Sequence, residues 1–454
     1  MLDYTIHQLK YAADSSAYMN ALAQLPMPAF LESGQADPGL ARFDILSAAP
    51  EAYLTITDGE FSSSDPDIGL TTEGFFPALR ELQAKYGASE MGIPSEIGPL
   101  PFSGGLIGVL GYPKLNTHKA FSFEQAFAGF YSWALIVDHL KESSKLIFMP
   151  RCTPQFISEI TSLLESNNLP IKSINFYDFE LKQAFKTDTT PEEYGLAFAR
   201  IKDYIDAGDC YQVNLTQRFS SHYTGEPLAA YLKLRESSLS PFSGFIAWQD
   251  QALLCNSPER FLSVRQGHVI TQPIKGTRPR GIDSKSDRSL AEELQSSEKD
   301  RAENLMIVDL LRNDLGKVCS IGSVKMEKLF ELQSFNSVHH LVSTVSGYLD
   351  EKQDALDLLE ACFPGGSITG APKLRAMQII EELESHAREA YCGSLFYLDC
   401  QGNMDSNITI RSLLCSDGEI HCWAGGGIVS DSVLADEYTE CFDKINILIN
   451  TLQN

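Results

Sequence analysis

Positive charge is scarce in this chain: 36 Lys and Arg stand against 60 Asp and Glu, a formal net charge of −24. A nucleic-acid partner needs a basic stripe to meet its phosphates, and none is visible. Apolar runs are short, and none approaches the roughly 18 residues of a membrane-spanning helix. The opening Met1-Leu2-Asp3-Tyr4-Thr5 lacks the basic start and apolar core of a secretory leader. The 10 cysteines fall between Cys152 and Cys441 without one CxxC pair. That spacing excludes zinc-ribbon sites and small disulfide scaffolds, and suits free thiols in a reducing compartment. No internal repeat or low-complexity tract stands out. The expectation is a cytoplasmic globular protein with neither membrane nor nucleic acid as partner.

What remains is ordinary globular material, 43% hydrophobic and 21% charged over 454 residues, enough for two or three domains or one large composite core. Tyr131–Asp138 and Leu146–Met149 read as a strand pair and Thr153–Asn167 as a helix. Composition turns polar near 185–190, where a domain boundary is placed: 1–185, then 186–454. Thr190-Pro191-Glu192-Glu193 follows, a capping box with proline at the first helical position. Beyond it, Cys210–Phe219, Gly244–Trp248, Leu253–Cys255, Phe261–Val264, Val269–Ile274, Gly393–Leu398, Asn407–Leu414 and Glu419–Ala424 read as strands. Leu290–Leu315 reads as helix with a break near Ser296-Ser297, and Val433–Leu452 as a last helix. Strands grouped between helices predict an α+β fold with antiparallel sheets and no βαβ nucleotide unit.

Chemistry concentrates in a few places. Lys275 lies in Pro273-Ile274-Lys275-Gly276-Thr277, where the β-branched run His268–Gln272 should stop. An amine there becomes a nucleophile only when burial or a nearby cation lowers its pKa from about 10.4. Asp300 and Glu303 share a helix face with Ile307 and Leu311, and Glu437, Glu440 and Lys444 form a second stripe. Each stripe alone is a solvated face; two carboxylates from different helices can also hold Mg²⁺. Gly365–Gly370 has P-loop spacing but continues Ala371-Pro372 where Lys-Ser/Thr is required, which excludes ATP while leaving an anion site open. Gly425-Gly426-Gly427 is a second glycine-rich loop. Glu259, His340, Tyr397 and Arg411 are isolated polar residues near strands, unassigned by spacing alone.

Taken in order, Tyr211–Leu215, Ser257–Phe261, Pro273–Thr277, Asp300–Leu310, Val338–Ser343, Gly370–Lys373 and Ala424–Ile428 resemble the motifs of the chorismate-utilising enzymes, over nearly the whole chain. The resemblance is strongest to the large subunits that make 4-amino-4-deoxychorismate for 4-aminobenzoate and folate synthesis. It implies a two-sheet sandwich, anthranilate synthase-like, flanked by helices, with the two chain regions intertwined. It implies Mg²⁺ on Glu303 and Glu440 with Asp300 behind, and Arg411, Tyr397 and the N–H groups of Gly425, Gly426 and Gly427 on the enolpyruvyl carboxylate. Gln212, Thr277, His340, Thr369 and Lys444 would line the same pocket.

By the same resemblance Glu259 is the general acid for the departing C4 hydroxyl. Gln212 stands where relatives that add water carry a lysine base. Lys275 stands where anthranilate synthases carry alanine, and would add covalently at C2 before ammonia enters at C4. Leu31-Glu32-Ser33 resembles a tryptophan-binding motif; Ser33, Leu40, Ala41, Arg42, Phe43, Pro241, Phe242 and Ser243 would form that pocket. Phe396 departs from the family's usual glycine before Tyr397. No amidotransferase module is present, so ammonia is expected from a separate glutamine amidotransferase subunit. The competing expectations are an anthranilate synthase large subunit and a non-catalytic tryptophan-binding regulator.

Overall fold

Strands buried at every position set the architecture. Gly105–Leu110, Gln125–Tyr131, Trp133–Asp138 and Ser394–Asp399 expose no residue, so each must be covered on both faces. A computed structural model describes residues 4–34, 42–69, 74–87, 100–115, 121–165, 178–335 and 338–453. In it a 13-stranded and an 11-stranded sheet provide that cover. Every strand ladder among the described residues is antiparallel, for instance Ala52–Thr57 against Gln125–Tyr131 and Phe242–Trp248 against Gln251–Ser257.

Period-two alternation sorts the side chains. Leu253 and Leu414 point between the sheets, where they join Ile246, Trp248, Leu106, Phe127, Leu262 and Leu395. Their neighbours Leu254 and Leu413 point outward, under helices that supply Ile201, Leu232, Ile380 and Leu448. Phe127 of one sheet stacks on Trp248 of the other, centroids 5.6 Å apart, a contact worth about 0.5–1.5 kcal/mol beyond its buried area.

Both sheets are assembled from both ends of the chain. In the larger one, Ala29–Glu32 pairs with Phe242–Trp248; in the smaller one, Gly105–Leu110 pairs with Ser394–Asp399. Residues before and after 185 therefore share one core.

Local signals came through where the chemistry was local. Thr190 and Glu193 form the reciprocal capping box of helix Pro191–Asp206. The helical stretch Leu290–Leu315 is two helices, Ser284–Ser296 and Glu298–Leu315, divided at Ser297, whose hydroxyl caps the second through Asp300 N–H.

Three elements differ from expectation. Val269–Ile274 is not one strand: Pro273 has no N–H to give, and strands His268–Thr271 and Ile274–Pro279 lie on either side of it. Asn407–Leu414 is likewise broken between Met404–Asn407 and Ser412–Ser416, with Arg411 left-handed at φ +51° in the gap. The glycines Gly425–Gly427 are not a loop. They belong to the strand Glu419–Ile428, opposite Thr216, Leu215 and Asn214.

Lys275 thus sits inside a strand and not at the end of one. Against Val338–Tyr348, Lys275 lies opposite Leu341 and Thr277 opposite His340, which leaves Gly276 as the extra residue of a bulge at φ +78°. A bulge re-aims the side chains beside it. A Cβ at Gly276 would fall 2.8 Å from Leu294 and 3.0 Å from the Asp300 carboxyl. Gly276→Ala is therefore expected to cost about 1–3 kcal/mol, through backbone strain and overlap together. Urea unfolding measures it, and an unchanged midpoint would mean that the bulge relaxes without cost.

Candidate active site

Lys275 is the centre of a charged cluster drawn from four parts of the chain. Its Nζ donates to the Ser367 carbonyl at 3.1 Å. Burial pushes its pKa below the usual lysine value. Glu303, Glu259 and Glu440 oppose that shift, and the nearby cation Lys444 reinforces it.

Glu259 is buried on the other side of the amine. Burial raises its pKa, against the opposing pull of a Ser367 hydroxyl hydrogen bond, the Lys275 charge and the Ile274 N–H at 3.5 Å. An amine and a carboxyl so placed are each moved toward the neutral form.

The acidic helices meet beside this pair. Glu303 projects from Glu298–Leu315; burial raises its pKa, and Asp300 and Glu437 add to the rise while Lys275 and Lys299 resist it. Glu437 and Glu440 come from Leu434–Gln453 and converge over Gly426, where an added Cβ would lie 2.7 Å and 3.7 Å from their oxygens. Glu437 is raised by burial and by Glu440, and Ser432 donates to it at 2.7 Å. Glu440 is desolvated too, but Lys444 at 2.6 Å, with Lys299 and Lys275, leaves its pKa net lowered. Lys444 also donates to the Gly425 carbonyl at 2.8 Å.

These donors fit a hard divalent cation. They are carboxylate oxygens, partly desolvated, and two of them are pushed toward protonation. Among the described residues no three acidic, histidine or cysteine side chains close a metal cage by themselves. Mg²⁺ asks for less, one or two carboxylates with water and substrate oxygens completing its shell. Asp300 lies behind, 3.4 Å from Arg278 and against the Gly276 bulge.

A second group suits an anion. Arg411 is desolvated, which lowers its pKa, and among the described residues no acidic side chain pairs with it. His340, fully buried, is pushed down to about 3 by burial and by the Arg411 charge, so its ring is neutral near pH 7. Its Nδ1 lies 2.9 Å from the Thr277 hydroxyl. A half-buried guanidinium without a counter-charge is costly, and a carboxylate ligand would relieve it.

Gln212 lies on the strand opposite the glycines, where a Cβ at Gly427 would fall on its amide; its Oε1 is buried with no partner among the described residues. Strand Ser412–Ser416 pairs with the glycine strand only as far as Cys422, so one edge beyond Trp423 is unpaired among the described residues. Thr369 is buried and donates to the Gly365 and Gly366 carbonyls. At the helix start after Pro372 the Lys373 side chain is tied to buried Asp314 at 2.6 Å and to the Cys362 carbonyl at 2.7 Å.

Tyr397 departs from its expected place. It lines a different cavity of about 310 Å³ between the sheets, with its hydroxyl bonded to Arg265 and its ring edge-on to Phe102. Ser33, Arg42, Phe43, Pro241, Phe242 and Ser243 line this same cavity, while Leu40 and Ala41 lie outside the described residues. Glu32, also in the wall, is raised to about 7 by burial and by Asp44, though Tyr231 and Arg235 both bond it. The Ser33 hydroxyl is buried without a partner among the described residues.

Three supporting residues gave no clear signal in the sequence. Asn304 is wholly buried and accepts from the Ser343 hydroxyl at 2.5 Å, fastening the Glu303 helix to the strand behind Lys275. Ser367 accepts from the Lys275 amine through its backbone carbonyl. Arg388 is buried, pairs with Glu384 at 2.7 Å, and donates to the Ile368 and Asn214 carbonyls at 2.8 and 2.9 Å.

Comparison with known proteins agrees with this geometry. The chorismate binding enzyme family matches residues 77–450. The chain is 42% identical over 445 residues to aminodeoxychorismate synthase component 1 of Escherichia coli (strain K12), covering 96% of this chain and 95% of that protein. It is 36% identical over 454 residues to anthranilate synthase component 1 of Pseudomonas aeruginosa, covering 93% and 89%. The crystal structure of anthranilate synthase component I from Streptococcus pneumoniae superposes with a TM-score of 0.75 at 31% identity, covering 90% and 92%. This chain belongs to the chorismate binding enzyme family. No helix among the described residues is long and apolar enough to cross a membrane.

Because Arg388 holds the Ile368 and Asn214 carbonyls and pairs with Glu384, Arg388→Ala should leave the Glu384 carboxylate buried without its cation, held among the described residues by Thr216 alone. The expected loss is about 3–5 kcal/mol of folding free energy by urea unfolding. A cost below about 1 kcal/mol would mean that the Glu384 carboxyl reaches water on its own.

Proposed function

We propose that this chain is the large, synthase subunit that converts chorismate and ammonia to 4-amino-4-deoxychorismate, with ammonia delivered from glutamine by a separate amidotransferase subunit. The observation that carries the reading is the placement of Lys275, desolvated between Glu259 and Glu303, in a chain whose relatives include proteins named for this activity. Chorismate carries two carboxylates, and the site offers two places for them. Arg411, beside neutral His340, suits the enolpyruvyl carboxylate; the Glu303 and Glu440 side suits the ring carboxylate through Mg²⁺. When bound there, Mg²⁺ supplies the local positive charge that an acidic pocket otherwise lacks.

The chain's own residues then do the following. The Lys275 amine, deprotonated, forms a bond from its nitrogen to ring C2. The two ring double bonds each shift one position, and the C4 hydroxyl leaves as water with the proton from Glu259. Ammonia next bonds to C4, the double bonds shift back, the C2–nitrogen bond breaks to return neutral Lys275, and the proton shed by the incoming nitrogen restores Glu259. The sum is chorismate plus ammonia giving 4-amino-4-deoxychorismate plus water. Gln212, a neutral amide, cannot serve as a base for water and so leaves nitrogen as the nucleophile.

Lys275→Ala is expected to divert product toward the 2-amino isomer or anthranilate, resolved by chromatography of reactions with chorismate, Mg²⁺ and ammonium salt. Unchanged regiochemistry would remove the covalent step. Glu259→Gln should lower kcat at least about 100-fold. The active form has Lys275 neutral and Glu259 protonated. Activity should therefore fall at low pH as the amine gains a proton and at high pH as the acid loses one, a bell-shaped kcat/KM profile. EDTA should abolish turnover and excess Mg²⁺ restore it.

The inter-sheet cavity supports a second proposal, that it holds tryptophan. Its aromatic and proline walls suit an indole, and Arg260, Arg265, Glu32 and the free Ser33 hydroxyl suit a zwitterion. Calorimetric titration with L-tryptophan should give saturable heat that Phe242→Ala weakens. No heat with the native chain would return the cavity to a plain apolar seam.

A further inference from the structure

Two buried side-chain oxygens beside the site have no partner among the described residues: Gln212 Oε1 and Asn214 Oδ1. Gln212 is 2% exposed and Asn214 8%, so bulk solvent does not serve them. Both belong to the strand Gln212–Gly225, two residues apart and therefore on one face. That face looks between the sheets, because Val213 and Leu215 point the other way, under the helix residues Ile379 and Ile380. Gly427 is the register partner of Asn214, and a Cβ on it would fall 1.9 Å from the Gln212 amide nitrogen. The two amides thus stand over one glycine, which brings no side chain of its own. Asn214 is fixed through its backbone: its N–H donates to the Thr369 carbonyl at 2.8 Å, and its carbonyl accepts from Arg388 at 2.9 Å. The turn that takes the Asn214 N–H also takes the Lys275 amine, through the Ser367 carbonyl at 3.1 Å. The two oxygens are held near the nucleophile yet spent on nothing.

A buried amide oxygen left without a donor costs about 1–3 kcal/mol, so a pair of them on one face favours a ligand that brings donors. We propose that Asn214 and Gln212 form the ammonia site, each side-chain oxygen accepting one N–H. The inference rests on the reaction proposed above. Ammonia has three hydrogens and one lone pair. With two hydrogens given to the amides, the lone pair is free to bond C4, and the third hydrogen is free to pass as a proton to the Glu259 carboxylate. The electron pair of the breaking C2–nitrogen bond returns to Lys275. Neither amide carries charge, so the pair offers ammonium no counter-ion and favours the uncharged form, whose lone pair does the chemistry. The C4 hydroxyl of chorismate brings one hydrogen and would satisfy only one of the two oxygens. A water molecule held there would stay unreactive, since an amide takes no proton from it.

The experiment varies ammonium salt and chorismate independently for the native chain, Asn214→Leu and Asn214→Asp, with Mg²⁺ present and ammonia counted as the free base. Leucine keeps the branched shape without the oxygen, and aspartate keeps the oxygen. Asn214→Leu should raise KM for ammonia about tenfold, the scale of one neutral hydrogen bond, and leave KM for chorismate within about twofold. Asn214→Asp should recover most of that loss. A second readout separates the two halves of the reaction. With chorismate and no ammonia, the adduct mass on the Lys275 peptide should form in Asn214→Leu as in the native chain. Once subsaturating ammonium salt is added, it should decay about tenfold more slowly. An unchanged ammonia KM in Asn214→Leu overturns the proposal and leaves the oxygens to an internal water. A rise confined to the chorismate KM overturns it and assigns them to chorismate. An equal rise in both, with a lowered urea midpoint, marks a distorted pocket and also counts against it. The underlying reading is judged separately on the native chain. Absence of the adduct would remove the covalent step, and anthranilate as product would move the attack to C2, while either result leaves the comparison of the two KM values in force.

Discussion

An amine taken out of water between two carboxyls is the constraint around which this site is organised. Desolvation alone would strip Lys275 of its charge, and Glu259 and Glu303 alone would restore it. The two effects oppose one another, and the balance makes both partners adjustable: the same burial that depresses the amine raises the acids. Fully solvated, the three groups would stay ionised and inert. Fully sealed, they would exchange protons and neutralise each other. The intermediate state is the one with chemistry in it. A second balance lies beside the first, where Glu437 and Glu440 crowd over Gly426, and Lys444 and Lys299 oppose the rise at both, with a net lowering at Glu440 alone.

The fold creates this balance by bringing element edges together. Lys275 comes from a bulge, Glu259 from the peptide before strand Arg260–Arg265, Glu303 from the second turn of a capped helix, and Ser367 from a 3₁₀ turn. None is a neighbour of another in sequence. Glycine makes the closest approaches possible at two of these joints. Gly276 lets the strand pass Asp300, and Gly426 lets the last helix press its carboxyls onto the sheet. Asn304 and Arg388, both buried, then bond backbone to side chain across the joints, so that the edges cannot drift.

How much of this could be read from the sequence depended on range. The capping box at Thr190 and the helix break at Ser297 involve residues three apart, and both stand where the sequence placed them. The antiparallel character of the sheets followed from strand grouping. The stop at Pro273 was legible, whereas the strand that resumes at Ile274 and the gap at Arg411 were missed, because nothing local marks either. Only the register against distant partners reveals the bulge and the turn. The glycine triad was read as a loop, since glycine weakens strand propensity; what holds it in a strand is the ten-residue pairing with His222–Val213. The resemblance set Tyr397 beside Arg411, whereas Asp405 of the next strand and the distant Arg265 and Phe102 surround it. Arg388 offered only an i,i+4 pair with Glu384 and Ser367 nothing, because the Ile368 and Asn214 carbonyls and the Lys275 amine that they hold are brought near only by the finished fold.

The acid also belongs to a larger arch. Ser257 donates to the Ile408 carbonyl at 2.5 Å, Ile408 N–H returns a bond to the Glu259 carbonyl at 3.1 Å, and Asn256 N–H bonds the Arg411 carbonyl at 3.2 Å. Residues 256–259 and 408–411 therefore clasp each other along the seam between the two sheets. Arg260, the next residue, turns the opposite way, pairs with Asp405 at 3.0 Å and lines the inter-sheet cavity. One peptide separates the wall of that cavity from the acid. Within the cavity wall Arg260 is held by Asp405, Gln272 and the face of Phe242. The space between the sheets and the site on their edge thus share a wall one peptide thick, built by residues 259 and 260.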